Sequence, residues 1–204
     1  MIFLNLTGSM SEFSLYFGLG KEHILDYLNG YDHILFVLAL CAVYSVHDWK
    51  KILVLITAFT IGHSITLALA TLEIISVKGE LIEFFIPLTI FITSFSNLFR
   101  EEKSIEKSRV QINYVFALFF GLIHGLGFSN FLRSLLGKDQ NIISQLLAFN
   151  LGLELGQIIV VALFLALSFI LIDLIKVSRR DLKLVLSSAI AGIALVLLKD
   201  RIFW

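Results

Sequence analysis

The chain has few of the residues that a soluble protein needs on its surface. Only 16% of its 204 residues are charged, and it has one proline and one cysteine. By contrast, 58% of the residues are hydrophobic and the mean hydropathy is +0.91. A soluble domain of this composition would have too little polar surface to cover its core. The shortage of charge therefore predicts an integral membrane protein.

Further absences narrow the functional classes. The 16 basic and 16 acidic residues cancel, which removes the electrostatic basis for a nucleic-acid partner. The single cysteine, Cys41, excludes an internal disulfide and a cysteine-rich metal site, and we expect it to pack within a helix. The sequence contains no His-Glu-x-x-His pair, phosphate-binding glycine loop or Gly-x-Ser-x-Gly elbow.

Long apolar runs are what the chain has in abundance. They cover approximately residues 31–46, 52–72, 81–99, 112–131, 142–175 and 182–198. A bilayer crossing takes about 20 residues, so the first run is slightly short. The fifth would reach about 50 Å as a straight helix and must tilt, protrude or kink near Gly152 or Gly156. We predict an all-α, polytopic membrane helix bundle with about six transmembrane helices.

The first 29 residues are mixed in character and lack the basic flank of a signal peptide. We therefore predict an interfacial N-terminal helix within residues 1–29, followed by the bundle at 30–204, in one transmembrane domain. Ten of the 16 basic residues lie in the first, third and fifth loops. The positive-inside rule then places both termini outside, and the charged segment 100–111 is interpreted as a solvated cytoplasmic loop.

Ionisable residues inside the apolar runs are the clearest functional signal. Asp32 and His33 stand at the mouth of the first run, whereas His63, His124 and Glu154 lie twelve or thirteen residues into theirs. Lipid does not solvate such groups, so they usually face the protein interior and mark a site. One intramembrane histidine alone can equally be a satisfied hydrogen bond between helices. Because four runs contribute, we predict a shared polar site.

Five more polar residues are candidates for capturing an ion or supporting its ligands: His23, Asp26, Ser64, Asn150 and Gln157. Among them, Asn150 and Gln157 share one helical face with Glu154, because the spacings are four and three. An ordinary surface role for His23 and Asp26 is an equal alternative. His47 is interpreted as a plain interface residue, and the glycines and hydroxyls near His63 and His124 as helix packing.

Imidazole and carboxylate groups without thiolates suit Zn²⁺, Ni²⁺ or Co²⁺, and affinity order does not choose among these ions. Such a site must be assembled from different helices, because no local metal motif is present. We therefore expect a divalent metal ion, as substrate or bound ion. The predicted ligands are Asp32, His33, His63, His124 and Glu154.

Four ordered blocks, the first of them in two parts, resemble the HupE/UreJ family of bacterial membrane proteins. They are Glu22–Leu25 (EHIL), Gly30–Phe36 (GYDHILF), Phe59–Leu67 (FTIGHSITL), Phe120–Phe128 (FGLIHGLGF) and Phe149–Gln157 (FNLGLELGQ). The family is associated with hydrogenase and urease accessory proteins, and some members are nickel or cobalt permeases. The resemblance implies a multi-pass protein of the bacterial inner membrane with a divalent metal substrate.

The chain departs from the nickel-permease pattern of that family at two positions. Asp26 stands six residues before the Asp32-His33 pair, where the permeases have a histidine. The segment Gly127–Ser129 lacks the second histidine that normally follows the fourth-run His-Gly pair. The chain is therefore more similar to the broader branch of the family.

Three hypotheses follow. In a secondary permease, Asp32 and His33 capture the ion at the outer mouth and the deeper residues pass it on, with histidine protonation available for proton coupling. The deeper residues would lie roughly 10 to 15 Å further in, and this spread favours a conduit, whereas an earlier start of the first run would bring all five residues together and favour catalysis. The alternatives are an intramembrane zinc hydrolase, with Glu154 or Asp32 activating water, and an assembly subunit without its own substrate.

Overall fold

A computed structural model describes the backbone of residues 12–27, 30–100, 107–136 and 142–203. Side chains are described for the same residues except 107–112, 130, 131 and 133–136. Predictions for residues 1–11 and for the centre of the charged loop, 101–106, lie outside the described residues. The helices are α1 (Glu12–Leu25), α2 (Tyr31–Cys41), α3 (Trp49–Thr71), α4 (Gly79–Leu98), α5 (Lys107–Leu136), α6 (Ile142–Phe169) and α7 (Arg179–Asp200).

Regular structure in the described part of the chain is entirely helical, which confirms the predicted all-α membrane bundle. Four segments are long and apolar enough to cross a membrane: Val46–Thr71, Gly79–Leu98, Ile142–Leu174 and Arg179–Asp200. Tyr31–Cys41 and Asn113–Ser129 are shorter apolar helices at the positions of the other two predicted crossings.

Glycines bring α3 and α5 into backbone contact. A Cβ atom on Gly62 would overlap the carbonyl oxygen of Leu118, and one on Gly121 would overlap that of Phe59. Gly125, further along α5, packs on His63 in the same way. From the Phe59–Gly121 contact to the His63–Gly125 contact, both helices advance by four residues in the same direction, so α3 and α5 run parallel. Small residues permit this approach, which lipid-embedded helices use in place of a hydrophobic driving force.

The same kind of contact joins α1 to α6. A Cβ on Gly20 would overlap the carbonyl oxygen of Phe149, and one on Gly152 would overlap that of Phe17. Gly156 then packs against Lys21 and Ile24, so these two helices are also parallel. Helix α1, predicted as an interfacial segment, is thus held to the bundle by its backbone. Its depth in the lipid stays a prediction.

Helix α6 continues without interruption through Gly152 and Gly156. These glycines do not interrupt the helix, and both pack closely against α1, so a kink there stays a prediction. The irregularity in this long apolar region comes later, where the chain forms a π-helical turn at Ile170–Leu174. A single inserted turn changes the helix direction without leaving backbone groups unsatisfied in lipid.

The remaining helices have directions fixed by contacts at their ends. Arg201 donates to the carbonyl oxygen of Glu83 at 3.2 Å, and Lys183 donates to that of Arg100, so α7 lies antiparallel to α4. Asn97 near the end of α4 donates to the carbonyl oxygen of Ala39 near the end of α2 at 2.7 Å. Helix α2 therefore runs alongside α4, towards the Arg100 end of the bundle.

Candidate functional site: a histidine cluster at a helix break

Four helices each contribute one histidine to a single cluster. His23 lies in the last turn of α1 and His33 in the first turn of α2, with ring centroids 4.5 Å apart. The ring of His63 on α3 lies 6.1 Å from that of His33 and 6.2 Å from that of His23. His124 on α5 completes the cluster, 5.3 Å from His33. We call these four residues the histidine cluster.

The histidine cluster exists because α1 and α2 are separated by a break. The amide of Gly30 donates to the carbonyl oxygen of Asp26 at 2.9 Å, which closes the turn between the helices. A side chain on Gly30 would collide with the carbonyl oxygen of His23, so glycine lets the chain turn closely here. Because of the break, the end of α1 and the start of α2 lie side by side, and His23 and His33 are brought together.

Most of the imidazole nitrogens are buried without a hydrogen bond. His33, His63 and His124 are each at most 5% exposed, and His23 is partly exposed. Within the described residues, no partner is found for Nε2 of His23, His33 and His124 or for either nitrogen of His63. A buried polar atom left unpaired costs about 1–3 kcal/mol, so such a group of orphaned ring nitrogens indicates a ligand.

Two of the rings are oriented by neighbours. Nδ1 of His124 lies 2.9 Å from the carbonyl oxygen of Phe120 one turn earlier. Nδ1 of His33 lies 2.9 Å from Oδ1 of Asp32, which also accepts from the backbone N–H of His33 at 2.8 Å. Metal-binding histidines commonly have their second nitrogen held by a carboxylate or carbonyl in this way. Nε2 is then left for the ligand.

A large open pocket, about 830 Å³ in volume, leads to the histidine cluster. His23, His33 and His124 form part of its wall, together with the acidic side chains of Glu22, Asp26, Asp32 and Glu83 and the guanidinium of Arg201. Four carboxylates against one arginine favour a cation in the pocket, and a cleft with apolar walls strengthens that preference.

The predicted depth separation between Asp32-His33 and the deeper residues is wrong for the histidines. The ring centroid of His33 lies 6.1 Å from that of His63 and 5.3 Å from that of His124. The sequence predicted that His33 and these two residues differ in depth by roughly 10 to 15 Å. The error came from starting the first crossing at the bilayer boundary. Since α2 follows a break inside the bundle, its first turn already lies beside the middle of α3 and α5.

Glu154 lies apart from the histidine cluster. Its Oε1 accepts a hydrogen bond from Thr57 on α3 at 2.6 Å, and it does not line the large pocket. One turn further along α6, Gln157 accepts from Thr60 at 2.9 Å. The carboxylate and the amide predicted as a ligand and its support thus form a polar seam between α3 and α6.

The other candidate residues divide between the pocket and their own helices. Asp26 lines the large pocket beside His23. Ser64 donates to the carbonyl oxygen of Thr60 at 2.7 Å, and Asn150 to that of Leu146 at 2.9 Å, both within one helix. Ser64 and Asn150 therefore cap backbone groups in lipid, as such residues commonly do in membrane helices.

The spacing of the rings suits one metal ion, although the nitrogens do not yet converge on a point. An ion about 2.1 Å from a ring nitrogen lies roughly 3.2 Å from the ring centroid, so paired ligands have centroids about 4.5 to 6.4 Å apart. The four separations given above fall in that range. In the described part of the chain, no three His, Cys, Asp or Glu side chains already form a metal-binding group, so side-chain rotation would have to complete one.

Sequence reasoning underestimated His23 and missed the phenylalanines around the histidine cluster. His23 was treated as an access or surface residue, yet its ring lies 4.0 Å from that of Phe128 and beside His33. The signal was present, because His23 and His33 flank a glycine-containing break and belong to the two parts of the first family-like block. Nothing in the sequence indicated that Phe36 and Phe59 pack under the same rings.

These observations define a polytopic helical membrane protein with a histidine cluster at an interrupted helix. The family model described as "HupE / UreJ protein" matches residues 3–201, nearly the whole chain. The chain therefore belongs to the HupE/UreJ family, as its sequence blocks predicted. That family is associated with nickel or cobalt transport and with urease and hydrogenase maturation. Searches of curated proteins and of solved structures found no match.

Proposed function

We propose that the protein is a secondary permease for a divalent transition-metal ion of the Ni²⁺, Co²⁺ or Zn²⁺ class. The ion would bind to the histidine cluster, with Asp32 supplying negative charge. The observation that carries this proposal is the meeting of four histidines from four helices, with unpartnered nitrogens, three of which line an open pocket: His23, His33 and His124. Neutral imidazoles are the ligands that these ions share.

The helix break supports movement of the ion rather than permanent retention. Transporters place substrate sites at interrupted helices, where irregular backbone lines a cavity and the segments on either side can shift. Each histidine here belongs to a different helix, so a small displacement of α1 or α2 alters the ligand geometry. Family membership supports metal handling as well. The convergence of the histidines also meets a condition of the hydrolase alternative, but Glu154, one of its two candidate bases, pairs with Thr57 instead.

Metal binding and flux test the proposal directly. Purified wild-type protein should bind Ni²⁺, Co²⁺ or Zn²⁺, and vesicles containing it should accumulate at least one of them. His63→Ala should weaken binding more than tenfold, because losing even an outer-shell partner of a metal site typically costs about 10- to 100-fold. His47→Ala is the matched control, because His47 lies outside the cluster in the short helix Val46–Asp48.

Equal metal content in the wild type and in a folded His33→Ala/His63→Ala/His124→Ala variant would exclude the site. One stoichiometric buried metal without flux, under both a proton gradient and a metal gradient, would exclude the permease and favour the enzyme. Binding without flux that depends on a second protein would instead favour an assembly subunit.

The proposed setting is the bacterial inner membrane, with lipid as the surrounding partner and both termini outside. In that orientation the pocket opens outward, because Arg201 at the end of α7 and Glu83 near the start of α4 stand at its rim. Cysteine labelling in intact cells tests this in a Cys41→Ala background. Ser11→Cys should react with an impermeant reagent and Lys103→Cys should not; the opposite pattern would reverse the orientation.

A further inference from the structure

A second, smaller cavity lies beyond the histidine cluster. It has a volume of about 160 Å³ and is lined by Ala39, Tyr44, Thr93, Asn97, Asn113 and Phe120, among others. The large pocket and the small cavity follow one another along the same three helices. On α2 the large pocket ends at His33 and the small cavity begins at Ala39.

The same order holds on the two neighbouring helices. On α4, Glu83 and Ile86 line the large pocket, whereas Ile92 and later residues line the small cavity. On α5, His124 lines the large pocket and Phe120, one turn earlier, lines the small cavity. The two cavities are therefore coaxial, and the six residues from His33 to Ala39 correspond to a separation of about 9 Å.

Three phenylalanines in mutual ring contact lie at the level between the cavities, and we call Phe36, Phe59 and Phe120 the phenylalanine layer. The ring of Phe36 lies 5.0 Å from that of Phe59 and 5.7 Å from that of Phe120. All three side chains are buried. The ring of His124 lies 5.1 Å from those of both Phe36 and Phe59, so the layer begins directly under the histidine cluster.

A dry aromatic layer of this kind stops a hydrated ion. The phenylalanines offer no group to replace the hydration shell of a divalent cation, and hydrophobic constrictions are known to gate channels by excluding water. The ion can reach the histidine cluster from the large pocket, but it meets no polar ligand in the layer. Only a movement of α2 or α5 that parts the rings would join the cavities.

We propose that the phenylalanine layer is the closed barrier of the ion path and that the small cavity is its far-side vestibule. This inference rests on the proposed permease function, since a barrier between two cavities has a purpose only if something crosses. It assigns α2, α3, α4 and α5 as the walls of the path. In the present conformation, the path is therefore open from the large pocket to the histidine cluster and closed at the phenylalanine layer.

The polar groups of the small cavity fit a vestibule better than a second binding station. Asn113 donates to the hydroxyl of Tyr44 at 2.8 Å, and Arg100 donates to Oδ1 of Asn113 at 2.8 Å. These bonds join α5, α4 and the segment after α2 at the far end of the bundle. The guanidinium of Arg100, which also lines the cavity, repels a divalent cation, so an ion that passes the layer would not rest there.

Cysteine accessibility tests the barrier without requiring metal transport. Thr93→Cys in a Cys41→Ala background places a thiol in the small cavity, and a small cationic thiosulfonate is added only from the large-pocket side. With the layer intact, we expect no labelling of this thiol. Phe36→Ala/Phe120→Ala should increase its labelling rate at least about tenfold, because an opened constriction admits water.

Two controls accompany the measurement. Phe164→Ala removes a buried phenylalanine of α6 that lines neither cavity, and it should leave Thr93→Cys unlabelled. Glu22→Cys lies in the large pocket and should be labelled in every background. If the double variant does not fold, Phe120→Ala alone serves, since Phe120 already lines the small cavity.

Labelling of Thr93→Cys with all three phenylalanines present would overturn the proposal, as would its continued protection in a folded layer variant. Failure of the permease is distinguishable from failure of the barrier. Absence of metal binding and flux, with the expected labelling pattern, would refute the transported ion but leave the barrier standing. Normal flux with no effect of the layer variants would refute the barrier alone.

Discussion

The α1–α6 pair and the α3–α5 pair use the same backbone contact. In the α3–α5 pair, Gly62 meets the carbonyl oxygen of the residue three positions before Gly121, and Gly121 meets that of the residue three positions before Gly62. Gly20 and Gly152 make the same two contacts in the α1–α6 pair. Each pair also has a second glycine, four residues after the first. Gly125 on α5 packs against His63, and Gly156 on α6 packs against Lys21; both contacted residues directly follow the glycine of their own helix. The sequences of the pairs are too dissimilar to indicate a repeat, yet their contact geometry is equivalent.

The two pairs differ in the polar groups that follow the glycines. The α3–α5 pair carries His63 and His124, both buried in the histidine cluster. The α1–α6 pair carries His23, which joins that cluster, and Glu154, which turns to Thr57 instead. The glycines therefore determine how closely the helices approach, whereas the side chain one to three residues later determines what the pair contributes to the site.

The largest expected effect is on the shared glycine contact. Gly62→Ala and Gly20→Ala each place a methyl group on a carbonyl oxygen of the partner helix, and backbone cannot yield as a flexible side chain does. We expect destabilisation at or above the usual 1–3 kcal/mol for overpacking. Thermal unfolding of the purified protein in detergent measures it for both pairs.

Gly18→Ala is the matched control on α1, because a Cβ there meets nothing within 4 Å. It should be neutral or slightly stabilising, since alanine is the better residue in a helix interior. If Gly20→Ala behaves like Gly18→Ala while Gly62→Ala unfolds the protein, the α1–α6 and α3–α5 contacts are not equivalent. In that case α1 is only loosely attached to the bundle, which would agree with the interfacial helix that the sequence predicted.

A smaller effect is expected at the seam that joins the two pairs. Thr60→Val removes the hydroxyl that donates to Gln157 and leaves that amide oxygen unpaired in the bundle. Hydrogen bonds between membrane helices contribute about 0.6 kcal/mol on average, so we expect a loss of about 0.5–1.5 kcal/mol. Thermal unfolding should show Thr93→Val to be milder, because Thr93 bonds within its own helix. If the two variants lose equal stability, the hydrogen bond between Thr60 and Gln157 does not help to hold α3 and α6 together.

The smallest expected effect is that of Glu154→Gln on metal binding. A glutamine oxygen can still accept from Thr57, and the side chain lies outside the histidine cluster. Metal affinity should therefore change less than about threefold, compared with more than about tenfold for His63→Ala. Isothermal titration of both purified variants makes the comparison. A loss as large as that of His63→Ala would return Glu154 to the ligand set that the sequence predicted.

The class of the protein and most residues of its candidate site follow from the sequence alone. Apolar composition and run length predicted a helical membrane bundle, because lipid permits few other structures for such a chain. The cost of ionisable groups in lipid singled out Asp32, His33, His63 and His124. The ordered blocks around them predicted the family that the comparison confirmed.

Which of these residues meet depends on how the helices pack in three dimensions. Hydropathy is summed along one segment and contains no information about the helix beside it. The break before α2 brings His23 and His33 together, and glycine contacts between helices far apart in the chain align His63 with His124. Glu154 satisfied every sequence criterion for a ligand but packs beside Thr57. The neighbouring helices, rather than depth in the membrane, thus determine whether a polar side chain joins the histidine cluster.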